Sequence, residues 1–343
     1  MSKISYQEYL ALVSNPDTTD RQIQEYSRIV KGEGGFDFQL QPDPDKVDIS
    51  LADLEVEGAM GLANGFVRWR RAVRFNRRID QGVDLPVLVA EGDSWFQFPI
   101  LINEVVDQLE NDYLVWCVSA AGDTAKNMVF GPEGNGKTEY MRALLKQKAR
   151  VKGFLFSAAG NDIIGEDPET GIAALQEILK DFNGNASDVH GHIHWAELGT
   201  RMAFLREAYQ LVIDTVRAEP GFEALPIFIH GYDYAIPYPF PDVQTDPRNP
   251  SYAKKNEWLG EPLDNRGIFD PGLRKALIGL LIDTLYEMLA DIAGDSETTG
   301  VWLVDCRGAM PDVHDWNDEI HGTSAGFTKI GARFKAALSK AGI

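Results

Sequence analysis

The chain has 343 residues, room for one elaborated domain or two, and 44% of them are hydrophobic, as in an ordinary globular protein. Its 52 acidic and 33 basic residues leave a formal charge of −19, a surface that repels nucleic acid and anionic membranes, which need a basic face. Only Cys117 and Cys306 are present, so buried free thiols are expected rather than a stapled secreted scaffold, and the first ten residues lack the apolar stretch of a signal peptide. A cytoplasmic protein is the resulting expectation.

In chain order, residues 6–13 and 21–30 have helical spacing, parted by Asn15-Pro16-Asp17, and residues 36–40 alternate like a strand before a turn region at 42–46. Arg68, Arg70, Arg71, Arg74, Arg77 and Arg78 then crowd one stretch with Phe66, Trp69 and Phe75 among them. An amphipathic helix that docks Phe66, Trp69 and Val73 while its arginines meet the acidic surface explains this better than a nucleic-acid anchor. Residues 1–80 therefore read as a mostly helical extension ahead of a main domain at 81–343.

From residue 85 the pattern alternates: strands at 87–91, 113–118, 152–157, 225–230 and 300–305, and helices at 99–111, 138–150, 198–217, 271–293 and 323–340. Strands separated by helices imply a five-stranded parallel sheet with right-handed crossovers, and hence an α/β, flavodoxin-like three-layer sandwich. Two long insertions interrupt it, at about 165–197 and 232–270. The second is rich in aromatic residues and proline, including Tyr232, Tyr234, Tyr238, Tyr252 and Trp258, which favours an ordered cover over a site. Its exchange for a short linker is expected to change which molecules that site accepts more than the chemistry of the site itself. Residues 277–292 are the most apolar helix, but Asp283, Glu287 and Asp291 give it an acidic face and exclude a membrane span.

The chemistry begins at Val87-Leu-Val-Ala-Glu91-Gly-Asp-Ser94-Trp95, an apolar run without alternation that stops at Gly-Asp-Ser. Such a run suits a strand buried on both faces, so Ser94 stands at a carboxyl end, where open α/β sheets bind ligands and where helix N–H groups can meet an anion. A nucleophile and a plain helix cap both fit that position. Three further blocks follow strands or close one: Ser119-Ala-Ala-Gly122-Asp123, Gly160-Asn161-Asp162 and Asp318-Glu-Ile-His321.

Ser, Gly, Asn and Asp-x-x-His in this order resemble the SGNH hydrolases, the GDSL esterases and lipases, over about residues 85–340. The resemblance implies the same flavodoxin-like sandwich. It also implies Ser94 as nucleophile, His321 as base, Asp318 as the carboxylate that orients it, and an oxyanion hole from the N–H groups of Ser94 and Gly122 with the Asn161 amide. Asp93 is expected to fix the turn, and Thr323 or Ser324 to cap the last helix.

Other patterns compete with this reading. Gly131 to Thr138 satisfies the P-loop template, with Asp305 as a candidate magnesium ligand, but no full apolar strand feeds the glycines and a loop insertion is the better reading. His190, His192 and His194 alternate as zinc ligands would, yet lack an acidic or cysteine partner at ligand spacing, so no metal is expected. His230 ends a strand on the rim of Ser94 and is a candidate pocket residue or alternative base; Trp95 and Tyr232 are further candidates for substrate contact. The expected function is a cofactor-free serine ester hydrolase acting on a small acyl ester, of a carbohydrate or another small alcohol. A lipase or phospholipase of the same family and a non-catalytic binding protein on the same fold are the alternatives. The oligomeric state is not written in these patterns.

Overall fold

The computed structural model describes residues 3–15, 17–31, 38–48, 63–98, 102–131, 137–165, 171–241, 244–250 and 252–343. Ahead of the main sheet stand β1 (Ile4–Ser5), β2 (Ser27–Lys31), β3 (Phe38–Pro42) and β4 (Val47–Asp48), in two small sheets. The main sheet contains β5 (Val87–Glu91), β6 (Leu114–Cys117), β7 (Val151–Phe156), β8 (Ile227–His230) and β9 (Val301–Val304). Every residue of β5 and β8 is buried, as an unbroken apolar run predicts for strands covered on both faces.

All pairings in the main sheet are parallel and the strand order is β6-β5-β7-β8-β9. The chain leaves β5 toward one edge, then crosses back to build toward the other. That reversal lies between β5 and β7, where open α/β sheets form a ligand crevice. Ser94 follows β5 and Asn161 follows β7, so topology alone brings the first and third sequence blocks to one place.

Helices cover the sheet on both faces as a three-layer sandwich. Trp195–Ala218 packs against Pro271–Ala293, which lies on β8 and β9, while Ser324–Lys340 packs on β9 and against Val105–Leu109. Pro271 opens its helix at a position where the missing N–H costs nothing, and Asp270 caps it by accepting from Leu273 N at 2.8 Å. Thr323 caps the last helix by accepting from Gly326 N at 3.1 Å, which anchors the end of the histidine loop.

The structure corrects three expectations. Of the helix expected over 21–30, only Asp20–Tyr26 is helical; Ser27–Lys31 is β2, paired antiparallel with β3 so that Ile29 meets Leu40. Cross-strand pairing of β-branched residues outweighs helical spacing there. Within 99–111 the described helix is Val105–Leu109, and residues 99–101 lie outside the described set. Pro99 disfavours helical backbone at Phe98, so the segment after Ser94 is a turn and no long helix starts at the serine.

The third correction concerns the arginine helix, Ala63–Asp80. Trp69 is 47% exposed and Val73 half-buried, whereas Val67, Arg70, Arg71 and Phe75 are buried. Arg71 pairs with Glu104 at 2.6 Å and Asp107 at 3.0 Å and donates to Phe96 O at 2.9 Å. Arg70 donates to the carbonyls of Val13 and Asn15. These arginines are internal ties rather than a basic face. Asn64 joins the loops after β5 and β6, its Oδ1 accepting from Gln97 Nε2 at 3.2 Å and Ala121 N at 3.0 Å. Among the described residues no helix is long and apolar enough to cross a membrane.

Candidate active site

The loop that carries Ser94 is fixed by its neighbour. Asp93 accepts from Trp95 N at 3.0 Å and from Ser157 Oγ at 3.3 Å through Oδ1, and from the Tyr232 hydroxyl through Oδ2. Its backbone carbonyl accepts from Phe96 N and Gln97 N, both at 3.0 Å. Burial pushes its carboxyl up to about 6 against the pull of these donors. Asp93 thus shapes the turn. Gly92 is required before it, because a Cβ there would lie 2.6 Å from Ser157 Cβ.

Ser94 Oγ stands 2.8 Å from His321 Nε2, and His321 Nδ1 stands 2.8 Å from Asp318 Oδ2. Asp318 Oδ1 also accepts from Ile320 N at 2.8 Å and His321 N at 2.7 Å, so the three-residue spacing closes a loop around its own carboxylate. Burial alone would raise the Asp318 carboxyl, but His321, the Tyr252 hydroxyl and the Ile320 N–H outweigh it and hold it below its ordinary value. Ser94 is 4% exposed, and Asp318 and His321 are fully buried. The His321 ring packs 4.5 Å from Phe98 and edge-on to Trp258 at 5.7 Å.

Two residues of the second insertion, named in the sequence only for its aromatic content, support this line. Tyr252 donates its hydroxyl to Asp318 Oδ2 at 2.6 Å, and Asn317 Nδ2 donates to the same hydroxyl. Trp258 supplies the ring against His321. The insertion is held in turn by Glu319, fully buried between the two blocks. Its carboxylate accepts from four backbone N–H groups, those of Tyr238 at 2.6 Å, Trp258 at 2.9 Å, Leu259 at 2.8 Å and Gly260 at 2.8 Å. No local motif announces these partners; only a charged residue inside an otherwise buried loop hints at one.

Asn161 lies in the short helix Gly160–Ile164, entered through Ala159 at φ 102°. Tyr209 braces that strained entry with its hydroxyl, which accepts from Ala158 N at 3.0 Å and donates to Ala158 O at 2.9 Å. The Asn161 amide donates to Asp123 O at 2.6 Å, and Asn161 lines a cavity with Ser94, Trp95 and Tyr232. This cavity, about 80 Å³, is also lined by Asp93 and Asp233 and by mostly apolar side chains, among them Ile163, Met202, Leu281 and Ile320. Gly122 sits at φ 83°, a conformation that suits glycine, but it lines a separate cavity with Arg68, Glu91, Asp123 and Glu139. Asn161 thus lines the Ser94 cavity and Gly122 a second one.

His230 does not reach this cavity. Its ring packs against Trp95, Phe96 and Phe334 at 5.9, 5.2 and 5.1 Å, Nδ1 contacts Gly231 O, and Nε2 has no partner. Burial pushes its imidazole down to about 4, so it is neutral at ordinary pH. The pleat of β8 turned this side chain into the core, which removes it from both roles expected of it. Tyr232 lines the cavity, but its hydroxyl is engaged by Asp93 and by Gly160 N at 2.8 Å.

The remaining motifs fall outside the site. His190–His192 is a 3₁₀ turn rather than an extended segment, so the three rings are not aligned: His190 stacks on Trp195, His192 Nδ1 contacts Asp188 O at 2.6 Å, and His194 is exposed. Residues 132–136 of the glycine run lie outside the described set. Met128 to Phe130, just before it, belong to the helix Ala125–Phe130 instead of a strand, and Lys137 Nζ pairs with Glu219 at 3.3 Å. Cys117 and Cys306 are both buried free thiols.

No family model and no curated protein sequence matches the chain. Among solved structures it is similar to an extracellular lipase from Streptomyces rimosus, with 12% identity, a TM-score of 0.45, and 74% of this chain and 99% of that one covered. With the same identity and coverage it is similar to an aryl esterase from M. smegmatis at a TM-score of 0.37. A carbohydrate acetylesterase from Sinorhizobium meliloti gives a TM-score of 0.33, again at 12% identity and with 74% and 99% covered.

Proposed function

We propose that this chain is a serine ester hydrolase of the SGNH kind, acting on short acyl esters through a covalent acyl-enzyme. The observation that carries the reading is the buried hydrogen-bonded line Ser94 Oγ, His321 Nε2, His321 Nδ1, Asp318 Oδ2, with Ser94 lining a largely apolar cavity. A serine hydroxyl is a weak nucleophile until a base removes its proton, and the base needs an orienting partner; all three stand at hydrogen-bonding distance.

In the proposed reaction His321 Nε2 takes the Ser94 proton as Oγ bonds to the ester carbonyl carbon, and Asp318 stabilises the imidazolium. The negative charge that develops on the carbonyl oxygen is met by the Ser94 backbone N–H and the Asn161 amide. Collapse breaks the bond to the alkoxy group, which leaves as an alcohol with the proton from His321. Water, deprotonated by the same nitrogen, then attacks the acyl carbon and releases the acid and the free serine. No metal or organic cofactor enters these steps.

Activated esters of short acids, and acetylated sugars as the natural class with a small alcohol, are the substrates to assay. Asn161→Ala is expected to lower kcat by about 10²- to 10³-fold with a smaller change in KM, since its donor matters most once the oxyanion forms. No hydrolysis of any short ester by the unaltered protein, or an Asn161 effect confined to KM, would contradict the reading.

A further inference from the structure

The cavity at Ser94 shares one lining side chain with a second space. Met202, on the inner side of helix Trp195–Ala218, lines this cavity and also a groove of about 880 Å³ between that helix and Pro271–Ala293. Among the described residues it is the only one common to both linings. On the partner helix Leu281, Ile282 and Leu285 face the cavity, whereas Thr284, Glu287 and Met288 face the groove. Met202 is half-buried, as a divider between an interior space and the surface should be.

Resting on the serine reading above, we infer that this cavity holds the acyl chain of the ester and that Met202 is its end wall, restricting the enzyme to unbranched acyl groups of about two to four carbons. The cavity suits the acyl side because that part stays bonded to Ser94 between the two half-reactions, while the alcohol must depart; a small pocket fits the group that remains. Away from Ser94, the wall formed by Met202, Ile278, Leu281, Ile282 and Leu285 is apolar and suits a hydrocarbon chain. For size, an apolar cavity of about 150 Å³ takes a six-carbon ring, so about 80 Å³ accommodates roughly half as many carbons. Beyond Met202 the space does not end, since the groove continues toward solvent. Met202, a flexible and unbranched thioether, stands between the two spaces, and its truncation to alanine removes three heavy atoms from that divide.

The test varies acyl length with the alcohol held constant, using p-nitrophenyl acetate, butyrate, hexanoate and octanoate. With the unaltered protein, kcat/KM is expected to fall about tenfold or more between butyrate and hexanoate, since each methylene that does not fit is worth at least that much. Met202→Ala is expected to raise the hexanoate-to-acetate ratio about tenfold or more. Met202→Phe, which fills the end wall, is expected to lower the butyrate-to-acetate ratio, and this second variant keeps the question open to test if the alanine variant fails to fold. Acetyl esters of graded alcohols should rank alike in all three proteins. Ratios within twofold of the parent in both variants, or a change in alcohol ranking in place of acyl ranking, would overturn the assignment of Met202. A small fluorophosphonate separates this from failure of the serine reading: labelled Ser94 with unchanged ratios defeats only the end wall, whereas unlabelled Ser94 defeats both.

Discussion

His321→Ala is expected to lower kcat/KM on a short activated ester by about ten-thousand-fold or more, and His230→Phe to leave most of the activity in place. Both histidines follow a strand or loop on the same rim, but only His321 is 2.8 Å from Ser94 Oγ and only His321 has a carboxylate on its other nitrogen. Without it the hydroxyl keeps its proton and the leaving alcohol has no donor. His230 instead fills an aromatic cage that a phenyl ring also fits. Its charge state sets a different observable. Because its imidazole is pushed down to about 4 from 6.5, the folded protein binds fewer protons than the unfolded one between those values. The stability this contributes is complete above pH 6.5 and is lost as the pH falls through about 4. Urea unfolding across that range should show the fall in the parent and a shallower one in His230→Phe. A dead His230→Phe beside a working His321→Ala would reverse the assignment.

Glu319→Ala is expected to undo the second insertion. Four backbone N–H groups would lose their acceptor in a buried place, at about 1–3 kcal/mol for each orphaned donor and less than the full sum. Against a total stability of about 5–15 kcal/mol for a domain, that is a large fraction. The urea midpoint should drop sharply and new proteolytic cleavage should open between residues 236 and 262. Glu319→Gln should be nearly as harmful, because its amide nitrogen would face donors. Turnover of the smallest acetate should fall as well, since the same segment carries Tyr252 on Asp318 and Trp258 on His321. The expectation from the sequence is that the insertion affects selectivity more than the chemistry; the contacts of Tyr252 and Trp258 with Asp318 and His321 predict an effect on both. An unchanged midpoint and an unchanged digest in Glu319→Ala would contradict it.

What the sequence disclosed follows from how local each signal is. The central strands of the sheet were legible because strands buried on both faces are apolar runs: β5 and β8 are buried throughout, and β7 from Gly153 to Phe156. Ser94 was legible because it interrupts such a run at a strand end, and Asp318 with His321 because three residues suffice to fold a carboxylate back onto its histidine. Tyr252 and Glu319 were not, since their partners lie 59 to 81 residues away and no spacing rule spans an irregular insertion. The phase of the arginine helix was misread for a related reason. Arginine is placed outside by default, yet Arg71 is buried by Glu104 and Asp107, which only the folded chain brings to it. His230 shows the same limit in a strand: a one-residue change of pleat decides whether a side chain faces the crevice or the core.

The central claim is that Ser94 is the nucleophile, and covalent labelling addresses it most directly. Incubation with a small fluorophosphonate, followed by intact-mass and peptide mass spectrometry, should show one adduct per chain, on the peptide that contains Gly92-Asp93-Ser94, with turnover lost in step. Ser94→Ala should neither label nor turn over ester while unfolding at a similar urea concentration. An adduct on another residue, or ester turnover that survives in Ser94→Ala, would contradict the account.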